Sequence, residues 1–204
     1  MKSLLIILIF APIIAFAQLL PGGEKERYEE SKDNLGGAGS LYSTYELKGM
    51  TLSDNFSVEF STKQGFLFNK LVVGGNINFR LTKTVEDPRY VDIKNVQPYF
   101  TYNHLGPFVD YIIPISSKAM LTIGTLANIG YTSYELSNTG LGNTPIGDFF
   151  LIAEPNVNFS YKVYNNYRLN LGASYRKTFS LGRTAYPADY FSGYGISLGV
   201  KIVN

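Results

Sequence analysis

The stretch EPNVNFSYKVYNNYRLNLGASYRKT, residues 154–178, separates into two chemistries when every second residue is read. Pro155, Val157, Phe159 and Tyr161, then Leu169, Leu171, Ala173 and Tyr175, form an apolar line. Glu154, Asn156, Asn158 and Ser160, then Arg168, Asn170, Ser174 and Arg176, form a polar one. A period of two is the strand period, because successive side chains point to opposite faces of a sheet. A soluble sheet would lay the apolar line on a core and the charged line in water. A sheet closed in lipid would do the reverse.

The rest of the chain repeats this pattern. From about residue 39 there are eight strand candidates, over 39–48, 54–65, 70–83, 96–113, 119–134, 148–163, 167–179 and 193–203. Alternation is cleanest in the third, where Leu71, Val73, Ile77, Phe79 and Leu81 oppose Asn76, Asn78 and Arg80, and in the last, where Tyr194, Ile196, Leu198, Val200 and Ile202 oppose Ser197, Gly199 and Lys201. The fourth carries Pro98, Gly106 and Pro107, which predict a bulge or kink.

The connections decide between the two sheets. GFLFNK, PISSKA and YNNY read as short turns, whereas KGMTLSDN, TKTVEDPRYVDIKN, SNTGLGNTPIGD and SLGRTAYPADYFS are longer, polar and rich in Gly, Pro, Asn and Asp. In chain order they alternate long and short, so an up-and-down sheet has tight turns at one end and loops at the other. That is the layout of an eight-stranded antiparallel transmembrane β-barrel with periplasmic turns and extracellular loops. Its strands are long enough to cross when tilted, and closure leaves no backbone edge in hydrocarbon. The apolar line then faces lipid and the polar line the lumen. Phe56, Tyr131, Phe149, Tyr161, Tyr175 and Tyr194 fit interfacial girdles. A soluble lipocalin-like barrel would be apolar inside and polar outside.

The N-terminal MKSLLIILIFAPIIAFAQ places a lysine, an apolar run and Ala15-Phe16-Ala17 in the order of a cleaved secretory signal. The expected organisation is a signal peptide over 1–17, a polar periplasmic leader over 18–38 and the barrel over 39–204. Charged residues make up 17% of the 204 and the net charge is only +2, with no basic cluster, so nucleic acid is not an expected partner. With no cysteine, thiolate metal sites, disulfides and lipidation at cysteine are excluded.

FFLIAEPNVNFSYKVYNNYRLNLGASYRKT, followed by FSGYGISLGVKI, resembles the C-terminal half of small outer-membrane β-barrel family proteins from Gram-negative bacteria. The resemblance is carried by Glu154-Pro155 within a long strand, by Arg168 with Gly172-Ala173-Ser174-Tyr175-Arg176, and by Ser192-Gly193 opening the last strand. It implies a barrel in the cell outer membrane, contacting outer-membrane lipid, with no catalytic residue, metal or cofactor. The C-terminus is similar to a barrel-assembly signal, Ser197-x-Gly199-x-x-Ile202-x, with Asn204 where an apolar or aromatic residue usually stands. It implies that the last strand meets the assembly machinery.

Chemistry has few candidates. His104 is the one histidine, and the residue two after it is Gly106, so the His–Ser pair of a lipid A deacylase is missing. The GGNINFR and GLGNTPIG glycines do not open helices and fail the context of a phosphate-binding loop. Glu59, Asp110 and Glu154 are expected to meet Arg80, Arg168 and Arg176 in the lumen as a charge network. Function then falls to the loops, in envelope integrity or surface interaction. The alternative is a narrow pore or a small-ligand barrel, since eight strands enclose room for side chains or one small ligand.

Overall fold

The computed structural model describes residues 40–52, 55–82, 99–135, 147–181 and 191–203. The expected signal peptide and leader lie outside them. Eight strands form: β1 (Ser40–Leu52), β2 (Asn55–Phe68), β3 (Leu71–Arg80), β4 (Tyr99–Pro114), β5 (Ala119–Glu135), β6 (Gly147–Tyr164), β7 (Tyr167–Ser180) and β8 (Gly193–Val203). They pair antiparallel in sequence order, and β8 returns to β1 to close the barrel. The shortest, β3, has 10 residues, enough for a tilted crossing.

Three tight connections share one end with Ser40 and Val203. Asn69-Lys70 joins β2 to β3 and Asn165-Asn166 joins β6 to β7. Asn69 (φ 59°) and Asn165 (φ 39°) take the left-handed conformation such turns need, which asparagine tolerates better than most residues. Between β4 and β5, the Ser116 hydroxyl accepts from the Ala119 N–H at 3.0 Å and so braces the turn.

The alternation of long and short connections fails at its first member. KGMTLSDN is mostly strand: β1 runs to Leu52, and only Ser53-Asp54 separates it from β2. Of the residues that suggested a loop, Lys48 is a buried lumen position, as is Met50, whereas Gly49 and Thr51 stand on the outer face of β1. The other long connections span 81–98, 136–146 and 181–192, largely outside the described residues.

The apolar line faces outward. Leu105, Ile129, Leu171 and Leu198 are each more than half exposed, while Glu59, Asp110, Glu154, Asn170 and Arg176 are fully buried. In water this would be inside out. The six girdle aromatics are all exposed, and Tyr131–Phe149 and Tyr175–Tyr194 pair across neighbouring strands with centroids 4.9 Å apart.

Two prolines interrupt the ladder, and asparagines answer them. The β4–β5 pairing skips Gly106 and Pro107, where proline has no N–H to give. There Asn76 donates to the Gly106 carbonyl at 2.8 Å from inside. The β6–β7 pairing skips Glu154 and Pro155, and Asn156 donates to the Glu154 carbonyl at 3.4 Å. An unsatisfied carbonyl is costly at membrane depth, so these side chains do what water does elsewhere.

Candidate functional site

The lumen has three layers. Near the loop end, Tyr102, Phe150, Ile152 and Phe191 form a buried apolar group. Tyr102 stacks on Phe150 at 5.0 Å and on Phe191 at 5.1 Å. Phe191 comes from the segment just before β8, so part of that connection turns into the barrel mouth. At the turn end a second group, Tyr42, Leu67, Val72, Phe108, Ile112, Met120 and Leu126, closes the other mouth. A polar band lies between. The polar line alone did not foretell these closures, because it says nothing of lumen positions near strand ends.

Arg176 is the centre of the band. Its Nη1 and Nη2 donate to Glu59 Oε1 and Oε2, both at 2.7 Å, and its Nε donates to Glu154 Oε2 at 2.7 Å. Lys48 bonds the other oxygen of Glu154, giving two carboxylates against two cations. The Tyr102 hydroxyl accepts from Arg176 Nη1 at 3.2 Å, tying the network to the aromatic layer above.

His104 borders the same cluster. Its Nδ1 accepts from Asn128 Nδ2 at 2.6 Å, which places the ring proton on Nε2, 3.5 Å from Glu59 Oε2. Asn128 and Asn76 exchange amide hydrogen bonds at 2.7 and 2.9 Å, and Asn78 donates to Asn76 at 2.6 Å. Both imidazole nitrogens thus face buried groups.

A second charged group lies towards the turn end. Lys63 Nζ reaches Asp110 Oδ2 at 3.2 Å, and the Tyr42 hydroxyl donates to the same oxygen at 3.1 Å. Lys201 donates to Thr122 Oγ1 at 2.9 Å, and Asn170 donates to Glu46. Between the two groups, Glu46, Lys48, Lys63 and Asn156 border a cavity of about 10 Å³, room for about one water.

The expected charge residues therefore divide. Glu59, Glu154 and Arg176 meet. Arg80 stands opposite Glu59 in the β2–β3 register and is partly buried. Asp110 takes a lysine rather than an arginine. Arg168 is a correction: it lies at the turn end, where its Nη1 donates to the Lys118 carbonyl at 3.1 Å, away from the network. The position falls in strand phase but too close to the strand end to reach the carboxylates. Sequence reasoning missed Lys48, Lys63 and Lys201 as partners. Lys48 was hidden in a segment read as loop, whereas Lys63 and Lys201 stood in phase with Glu59 and Ser197.

The closed eight-stranded barrel has counterparts among solved structures. The neisserial surface protein A is 14% identical with a TM-score of 0.58, over 82% of this chain and 99% of that one. The fold is that of the small outer-membrane β-barrels. OprG of Pseudomonas aeruginosa superposes with a TM-score of 0.53 at 10% identity, covering 84% of this chain and 99% of its own. Ail, the attachment invasion locus protein of Yersinia pestis, solved with the heparin analogue sucrose octasulfate, gives 0.52 at 13%, covering 82% and 99%. No protein-family model and no curated protein matches the sequence. In fold this chain is an eight-stranded β-barrel of the outer-membrane type, with its apolar line on the outside.

Proposed function

We propose that this chain is a non-enzymatic outer-membrane barrel that serves envelope integrity or surface interaction through its extracellular loops. The observation that carries the reading is the filled lumen. Among the described residues an apolar group stands at each end, and the cavity between has room for about one water. A transport pore needs a continuous aqueous path, and a small-ligand barrel needs an interior several hundred Å³ in volume. The arrangement favours neither. The charge network reads as wall bracing, because each charge named in it is met by a partner inside the barrel.

With the interior filled, the loop end is left as the place to meet a partner. Two similar structures belong to proteins whose names speak of surface and attachment, and this agrees with the reading. The termini belong in the periplasm with the turns, and β8 is the strand that would meet the barrel-assembly machinery. Fractionation tests the proposal. The protein should partition with the outer membrane and migrate differently on gels before and after heating. Recovery in the soluble periplasm without a heat-dependent shift would overturn it.

A further inference from the structure

The two ends of the barrel differ in charge. Each tight turn at the turn end places a cation there: Lys70 in the β2–β3 turn, Lys118 in the β4–β5 turn, and Lys162 and Arg168 flanking the β6–β7 turn. Three of them lie together. Lys162 and Arg168 are cross-strand partners, and both the Lys162 N–H (2.7 Å) and Arg168 Nη1 (3.1 Å) donate to the Lys118 carbonyl. Among the described residues, no acid is exposed at this end. Glu46, Glu59, Asp110 and Glu154 are buried in the lumen, and Glu135 and Asp148 belong to the loop end of β5 and β6.

Around this cationic rim the outer wall is aromatic and apolar. Phe68, Tyr111, Tyr161 and Tyr164 are exposed there, with Ile115 and Val163 beside them. Tyrosines at such a level mark the boundary of hydrocarbon and headgroups, so the cations stand at the depth of the lipid phosphates. Basic clusters at that depth are how membrane proteins recognise anionic headgroups.

From this we infer that the turn end is a docking surface for the phosphate of an anionic phospholipid headgroup in the leaflet it faces. Lys118 and Arg168 form its centre, and the acyl chains lie along Tyr161 and Leu169. The inference rests on the membrane-spanning reading. It adds a lipid class and a place on the molecule. Arg168, set apart from the lumen network, gains a role as a charge held at the rim by the Lys118 carbonyl.

The test uses the full chain refolded into phosphatidylcholine vesicles carrying trace spin-labelled phosphatidylglycerol or spin-labelled phosphatidylcholine. The protein-bound fraction of each is read by electron paramagnetic resonance. Selectivity for phosphatidylglycerol is expected at roughly fivefold per engaged cation, the equivalent of about 1 kcal/mol each. Lys118→Gln with Arg168→Gln should bring it close to unity with the heat-dependent gel shift intact, while Lys177→Gln, at the other end, should leave it unchanged.

Equal binding of the two lipids by the full chain overturns the inference. Selectivity that survives the double substitution, or that millimolar inorganic phosphate abolishes, also overturns it, the latter in favour of a free-anion site. Failure to enter vesicles at all is a different result, which removes the membrane reading as well.

Discussion

Arg176 grips Glu59 in a two-pronged pair, with both nitrogen–oxygen distances 2.7 Å, and its third donor holds Glu154 at 2.7 Å. One side chain therefore ties β7 to β6 beside it and to β2 across the lumen. All three residues are fully buried. Removing Arg176 leaves two carboxylates with part of their partners gone, and breaking a buried pair typically costs about 3–5 kcal/mol. Arg176→Ala should lower unfolding stability by about 3 kcal/mol, because water admitted to the vacated space relieves part of the penalty. Urea titration in detergent micelles or vesicles reads the change.

Coupling separates a network from independent contacts. Glu154→Ala combined with Arg176→Ala should cost less than the sum of the two single changes, by between about 0.5 and 3 kcal/mol. Strict additivity in that double-mutant cycle would remove the pairing from the account.

The outer wall offers a sharper contrast with a soluble barrel. Leu171 is 55% exposed in the middle of β7, flanked by Leu169 and Ala173 on the same line. Leu171→Arg should destabilise the barrel in vesicles by roughly 2–4 kcal/mol, the cost of a cation on the lipid face near the midplane. A change within about 0.5 kcal/mol, as on a water-exposed surface, would argue that this face meets water.

The two apolar closures predict an electrically silent barrel. Wild-type protein in a planar bilayer should give no steady conductance. Phe191→Ala should give none either, because the group around Tyr42, Leu67 and Ile112 still fills the opposite mouth. Stable open channels in the wild type would restore the pore.

β2 and β3 approach so closely at Gly65 and Gly74 that a Cβ on Gly74 would collide with the Gln64 carbonyl. Backbone on both sides cannot give way without breaking the ladder. Gly74→Ala should therefore cost roughly 1–3 kcal/mol, in the range of overpacked interiors, and lower the yield of the heat-shifted folded band.

Much of the barrel was legible because alternation is a local signal that survives at every strand. The placement of Glu59, Asp110, Glu154 and Arg176 followed from phase alone. Phase fixes the face a residue takes but not its depth, and depth separates Arg168 at the rim from Arg176 at the centre. Partnership across the lumen is harder still. Lys48 and Glu154 lie 106 residues apart and meet only because the barrel closes. The same reason kept His104 from being joined to Glu59 and Asn128. The first connection misled because Lys48, Gly49 and Thr51 have the composition of a loop, although they are the end of β1.

The proposed orientation of the barrel, loops outward and turns inward, underlies both its proposed role and its proposed lipid contact. The chain has no cysteine, so single cysteines can be introduced without background. Asn143→Cys, in the connection between β5 and β6, and Ser116→Cys, in the tight turn between β4 and β5, report the two ends separately. On intact cells treated with a membrane-impermeant maleimide, the cysteine at 143 should be labelled and the one at 116 protected until the outer membrane is opened. Labelling at 116 with protection at 143 would invert the topology, and protection of both until lysis would contradict a surface-exposed barrel.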